Sequence, residues 1–92
     1  MLNPKELAEI EFILKQQAFE INGDKAELSF SKQYMADDPF AEQCIIRARV
    51  GNHSNHITLS TRDITRPGAV HRAVANLKDS LTQDIAKPMF EL

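Results

Sequence analysis

The first eighteen residues carry an apolar stripe with the period of an α-helix, which predicts a helix over residues 3–18. Asn3 is a favoured N-cap residue, and Pro4 suits the first helical position. Phe12 projects off the stripe, so we interpret it either as part of a wide core-facing surface or as a contact residue. The stripe itself consists of Leu7, Ile10, Leu14 and Ala18.

Three later segments alternate apolar and polar residues, which is the period of a β-strand. The first, residues 25–32, sets glutamate and serines opposite its apolar residues. The second, residues 40–50, presents its even-numbered apolar residues to the core. The third, residues 56–62, turns Ile57 and Leu59 inward. The opposite, wet face of the sheet is predicted to include Arg47, Arg49, His56, Thr58 and Arg62.

Two turn signals separate these strands from their neighbours. Asn22-Gly23 either joins a short strand at residues 19–21 to the first long strand or forms a bulge in one continuous strand. Residues 51–55, which contain glycine and asparagine, are predicted to form the turn between the second and third strands.

An acidic loop is predicted over residues 33–39, because Asp38 is a turn former and the proline that follows it disfavours helical backbone. Tyr34 and Met35 are large apolar residues in this loop. They either tuck under the loop or stand ready to contact a partner.

A second helix is predicted to begin near Thr65, with Pro67 in its first turn, and to end at Lys87-Pro88. The element order is then α–β–β–β–α, with room for one extra short strand. Because each helix has a single apolar stripe, we expect a two-layer α+β fold. It has a three- or four-stranded antiparallel sheet with both helices packed on one face. Residues 1–92 make one domain, and residues 88–92, which include Phe90, form an apolar C-terminal tail.

Charge is unevenly distributed along the chain. Residues 1–46 hold nine acids and four lysines, whereas residues 47–72 hold five arginines and one acid. No apolar run approaches the roughly 18 residues that span a bilayer, and the N-terminus lacks the pattern of a signal peptide. With one cysteine in the chain, these features favour a cytoplasmic location without a membrane partner.

The arginine-rich segment supplies the candidate binding residues. Arginine matters here because its planar guanidinium binds carboxylate or phosphate through two hydrogen bonds. Phe12, Tyr34, Met35 and Phe90 are the candidate apolar contacts. The polar candidates are Arg47, Arg49, His56, Arg62, Arg66 and Arg72.

Catalytic and metal-binding patterns are weak. His53 and His56 have a spacing that suits a shared ion, but no acid is near them in sequence, so we interpret them as turn histidines. Cys44 lies in an apolar strand face and is interpreted as a small buried hydrophobe. We therefore expect no enzyme activity, no metal and no cofactor. An enzyme using Cys44 or His56, with a reactive thiol or a pH-dependent activity, is the third hypothesis.

The predicted element order resembles that of double-stranded RNA-binding domains, from the helix start at residues 3–7 to Leu81. The likeness is one of topology. That family's second helix begins with a lysine cluster, where this chain has Arg66-Pro-Gly-Ala-Val-His-Arg72. Its loop between the first two strands corresponds here to the acidic residues 36–40. The resemblance implies nucleic-acid binding through the arginines and the start of the second helix.

The leading hypothesis is a small non-enzymatic protein-binding module, namely an inhibitor, an adaptor or an accessory subunit. Arg47, Arg49 and Arg62 would steer and pair with acids on the partner. Nucleic acid is the alternative ligand. A homodimer is a further hypothesis, in which the tail residues Met89–Leu92 form the contact and their deletion lowers the mass in solution.

Overall fold

A computed structural model describes the backbone of residues 2–35 and 38–86, and the side chains of residues 2–34 and 42–86. Helix α1 spans Pro4–Gln16. Asn3 caps it by accepting from the Glu6 amide at 2.8 Å, and the Glu6 carboxylate accepts from the Asn3 amide at 3.1 Å. This reciprocal capping box satisfies two backbone donors that a helix start would otherwise leave unpaired.

The Asn22-Gly23 pair forms a hairpin turn, which settles the choice between a turn and a bulge. It joins the two short strands β1 (Glu20–Ile21) and β2 (Asp24–Lys25) in a separate antiparallel sheet. Asn22 has a φ of 53° and Gly23 a φ of 87°. Two successive positive φ angles match the twist of a two-residue hairpin, and asparagine and glycine tolerate them best.

The main sheet is antiparallel and has the order β3–β4–β5. Its strands are β3 (Glu27–Met35), β4 (Asp38–Val50) and β5 (His53–Ser60). The predicted loop over residues 33–39 is wrong at both of its ends, because β3 continues to Met35 and β4 begins at Asp38. The middle of that range, residues 36–37, lies outside the described residues. Cross-strand pairing there outweighs the local turn signals. The predicted turn at residues 51–55 is too long, because β5 begins at His53.

The two faces of the main sheet follow the predicted alternation. Cys44, Ile46 and Ala48 are fully buried on the inner face of β4. Arg47 and Arg49 alternate with them and are exposed. Ile45 is an exception to the polar character of the outer face, where it is 6% exposed between its strand partners Ser31 and Thr58.

The third strand ends two residues earlier than predicted, because Ser60 caps a helical turn. Its hydroxyl accepts from the Asp63 amide at 3.0 Å, and residues Thr61–Ile64 form the short helix α2. Arg62 therefore lies on α2, and its predicted place on the strand is wrong. Helix α3 spans Ala69–Ala86, so Pro67 precedes its first turn, contrary to the prediction. Gly68, with a φ of 76°, turns the chain into α3.

Both long helices pack on the inner face of the main sheet, as predicted for a two-layer α+β fold. Helix α1 contacts β3 and α3, while α3 contacts β4 and β5. Ile10 and Leu14 from α1 join Leu77 and Leu81 from α3 in one core cluster. None of the described helices combines the length and apolar character needed to cross a membrane.

One carboxylate lies inside this apolar layer. Glu42, at the inner face of β4, has a side chain that is only 2% exposed. Its Oε2 accepts from the Leu2 amide and lies 3.3 Å from the Thr61 hydroxyl, and its Oε1 is 3.3 Å from Lys32 Nζ. Desolvation raises the pKa of Glu42, but the hydrogen bonds and the charge of Lys32 outweigh it and hold the pKa below its ordinary value.

Replacing Glu42 by glutamine should lower the free energy of unfolding near neutral pH, because a neutral amide loses the charged pairing with Lys32. The lowered pKa in the folded state means that the carboxylate stabilises the fold above its ordinary pKa of 4.5. That contribution is lost as the pH falls through the folded-state pKa. The free energies of unfolding in urea should therefore differ between the wild-type chain and Glu42→Gln at neutral pH and become equal in acid.

The exposed Glu9 on α1 provides the matched control, since Glu9→Gln removes the same charge from a solvated site. Equal stability of the wild-type chain and Glu42→Gln at neutral pH would contradict the role assigned to the buried carboxylate.

Candidate functional site

Three of the six predicted polar candidates lie together on the outer face of the main sheet, which we call the open sheet face. Arg47 and Arg49 are two residues apart on β4 and are exposed on the same side. His56 on β5 is the direct strand partner of Arg47, and Ser29 on β3 is its partner on the other side. A shallow depression of about 690 Å³ lies over these residues.

The electrostatics of the open sheet face differ between its two arginines. Arg49 faces Glu27 across the strands, and its Nε donates to the Gly51 carbonyl oxygen at 3.2 Å. Arg47 forms no ion pair within residues 2–34 and 42–86. The guanidinium of Arg47 is therefore available to an external acid.

The arginines at the start of α3 lie on the helical side of the molecule. Arg66 Nε is 3.6 Å from Asp63 Oδ1, and Arg72 Nη1 donates to the Pro67 carbonyl oxygen at 3.2 Å. Both line a depression of about 270 Å³ between β5 and α3. We call it the β5–α3 groove, and its lining residues are Ile57, Leu59, Asp63, Arg66, Ala69, Arg72, Ala73 and Asn76.

Arg62 belongs to neither of these surfaces. It is exposed on α2, which follows the end of β5, and its carbonyl oxygen accepts from the Thr65 hydroxyl at 3.0 Å. The arginines that are adjacent in sequence thus divide into separate surfaces in the fold.

The candidate thiol and imidazole groups are also separated. Cys44 is fully buried on the inner face of the sheet, whereas His56 is exposed on the outer face, so these two residues do not form a catalytic pair. His53 and His56 are an odd number of residues apart on β5 and point to opposite faces. No group of three or more potential metal ligands occurs among the described side chains.

Two of the four predicted apolar contacts, Phe12 and Tyr34, belong to the described residues, and both lie away from the open sheet face. Phe12 is 60% exposed on α1, in the helical layer. Tyr34 is 52% exposed near the end of β3 and pairs with Glu42, which places it on the helical side. The side chain of Met35, and Phe90 with the whole of Met89–Leu92, lie outside the described residues.

Sequence reasoning missed two features. Glu42 shares the even parity of the buried residues of β4, and that position was the signal for a buried acid. The β5–α3 groove was missed because it depends on the packing of a helix beside a strand. Its signal is the repetition of Ala69 and Ala73, small residues one turn apart on the face that meets Ile57 and Leu59.

Comparisons of the chain with protein-family models, with curated proteins and with solved structures find no match. The candidate functions therefore follow from the geometry of this chain.

Cys44 should react slowly with a thiol reagent while the chain is folded. It is fully buried, and burial raises the pKa of its thiol, so little thiolate is accessible at neutral pH. The reaction with Ellman's reagent should accelerate along the urea unfolding curve.

A chemically matched free cysteine peptide supplies the reference rate for this reaction. Native Cys44 reacting as fast as the peptide would refute burial as the controlling factor and would restore the thiol-enzyme hypothesis.

Proposed function

We propose that this chain is a small protein-binding module that engages an acidic surface of its partner through the open sheet face. The observation that carries the proposal is the position of Arg47 and Arg49 on one exposed side of β4. Arg47 forms no ion pair with any described residue. Its planar guanidinium is suited to a carboxylate, which it binds through two parallel hydrogen bonds.

The surroundings of the arginines support a protein surface as the ligand. His56 and Ser29 flank Arg47 and add hydrogen-bonding groups of adaptable geometry. Glu27 faces Arg49 and makes the charge of this face mixed. A mixed polar pattern gives specificity for a protein surface of complementary charge, and the uncompensated Arg47 accelerates the encounter.

Nucleic acid is supported less well by the same geometry. The arginines lie on two sides of the sheet, so a duplex contacting Arg47 would not reach Arg66 on the same surface. Around the start of α3, Arg66 pairs with Asp63, and Glu6 and Glu9 line the same depression as Arg66. These acids reduce the positive potential that phosphate binding requires.

Affinity capture tests the proposed surface. The wild-type chain and the double variant Arg47→Glu/Arg49→Glu are immobilised in equal amounts and exposed to an extract of the native host. We expect a protein that is retained by the wild-type chain and lost from the variant, because charge reversal turns attraction into repulsion. The purified partner should then bind the variant at least about tenfold more weakly, which corresponds to about 1.4 kcal/mol.

The matched control is Lys5→Glu/Lys78→Glu, which makes the same change of charge at two exposed positions on α1 and α3. It should capture the partner as the wild-type chain does. Equal capture by the wild-type chain and Arg47→Glu/Arg49→Glu would exclude the open sheet face as the binding surface.

A titration with fluorescent duplex RNA, duplex DNA and single strands separates the two ligand classes. We expect no saturable binding at near-physiological salt. Several phosphate contacts would instead give an affinity that falls about a hundredfold or more between low and near-physiological salt. Such binding, abolished in Arg47→Glu/Arg49→Glu, would replace the protein partner by nucleic acid.

A further inference from the structure

Strand β5 lies at the edge of the described sheet and lacks the residues that usually prevent another strand from pairing with it. It pairs with β4 on one side, and no other described strand pairs with it. Its eight residues, His53–Ser60, include no lysine, arginine, aspartate, glutamate or proline. Proteins commonly blunt exposed strand edges with charges or proline, because the unpaired backbone groups recruit another strand. This edge therefore retains the capacity to accept one.

The β5–α3 groove runs beside this edge and has an apolar floor. Ile57 and Leu59 from β5 are only partly buried, although their side chains face the helical layer. Opposite them, Ala69 and Ala73 lie one turn apart on α3. Alanine at both positions keeps the helix from filling the space over Ile57 and Leu59. The result is a recess of about 270 Å³, enough for one or two apolar side chains.

The rim of the groove carries a net positive charge. Arg66 and Arg72 contribute two positive charges, and Asp63 contributes one negative charge. Arg66 is already close to Asp63, but Arg72 forms no ion pair with any described residue. At the other end, Asn55 Nδ2 donates to Ser80 Oγ at 2.7 Å and ties β5 to α3. The charged rim therefore attracts a negatively charged side chain.

We infer that the β5–α3 groove binds an extended segment of a partner protein, which adds to the edge of β5 as a further strand. Alternate side chains of such a strand point to the helical layer. One of them is apolar and packs on Ile57 and Leu59, and a neighbouring one on the same side is acidic and pairs with Arg72. Main-chain hydrogen bonds supply affinity, and the groove supplies specificity.

A second copy of β5 fits this groove less well than an acidic segment. The residues that a second β5 would bring are uncharged apart from its two histidines, so Arg66 and Arg72 would gain no acidic partner. The arginines of the groove, Arg66 and Arg72, are not those of the open sheet face, so charge reversal tests the two proposed sites separately.

Selection from a displayed library of random octapeptides, with the full chain as bait, tests the inference. We expect enriched peptides to carry an acidic residue and an apolar residue two positions apart. A synthetic enriched peptide, titrated into the isotope-labelled chain, should shift the amide resonances of His53–Ser60. It should also slow the hydrogen exchange of those β5 amides that face the free edge.

Charge reversal locates the site within the chain. Arg66→Glu/Arg72→Glu should weaken binding of the enriched peptide at least about tenfold, since repulsion replaces attraction. Lys5→Glu/Lys78→Glu, with the same change of net charge, should bind the peptide as the wild-type chain does. Both variants alter exposed residues, and circular dichroism with urea unfolding confirms that each is folded.

Any one of four results would overturn the inference. The first is a library that yields no enrichment over a bait-free control. The second is an enriched peptide that shifts resonances away from β5 and α3, and the third is one that binds Arg66→Glu/Arg72→Glu with unchanged affinity. The fourth is a free chain that sediments as a dimer with its β5 amides already protected, which would make a second copy the occupant.

Discussion

The need to neutralise one buried carboxylate constrains much of this fold. Glu42 lies on the inner face of the central strand, where an unpaired charge is costly. Its partners among the described residues include the Leu2 amide, the Lys32 ammonium group and the Thr61 hydroxyl, which come from three parts of the chain. The start of α1, strand β3 and helix α2 are thereby held at one end of the sheet. Apolar packing joins the layers, and this polar cluster fixes how they are aligned.

Local patterns predicted the elements of the fold well where one face of each element is buried. The parity of Cys44, Ile46 and Ala48 identified the inner face of β4, and helical spacing with Asn3 identified α1. The boundaries were predicted less well, because tertiary pairing decides them. Residues 33–35 extend β3 because β4 pairs with them, although their sequence resembles a loop. Ser60 ends β5 by capping a helical turn, which strand alternation does not reveal.

The candidate site shows a different limit of sequence reasoning. The sequence concentrates its arginines between residues 47 and 72, but the fold distributes them over the two layers. Strand parity placed Arg47, Arg49 and His56 together correctly, since residues on one face follow from alternation. The neighbourhood of Arg66 and Arg72 depends on how α3 crosses β5, and no local pattern encodes that packing. Proximity along the chain was therefore a poor guide to proximity in space beyond the end of β5.

Strand β4 is paired on both sides, which fixes the spacing of the arginines on the open sheet face. Arg47 and Arg49 occupy alternate positions of a strand that is paired on both sides, so their Cα atoms are about 6.8 Å apart. A helix rises about 5.4 Å per turn, and acids on consecutive turns of a partner helix would approach this separation. An extended partner strand with acids at alternate positions would match it more closely. On the proposed binding role, the spacing of Arg47 and Arg49 would favour partners whose acidic side chains repeat at about the same distance.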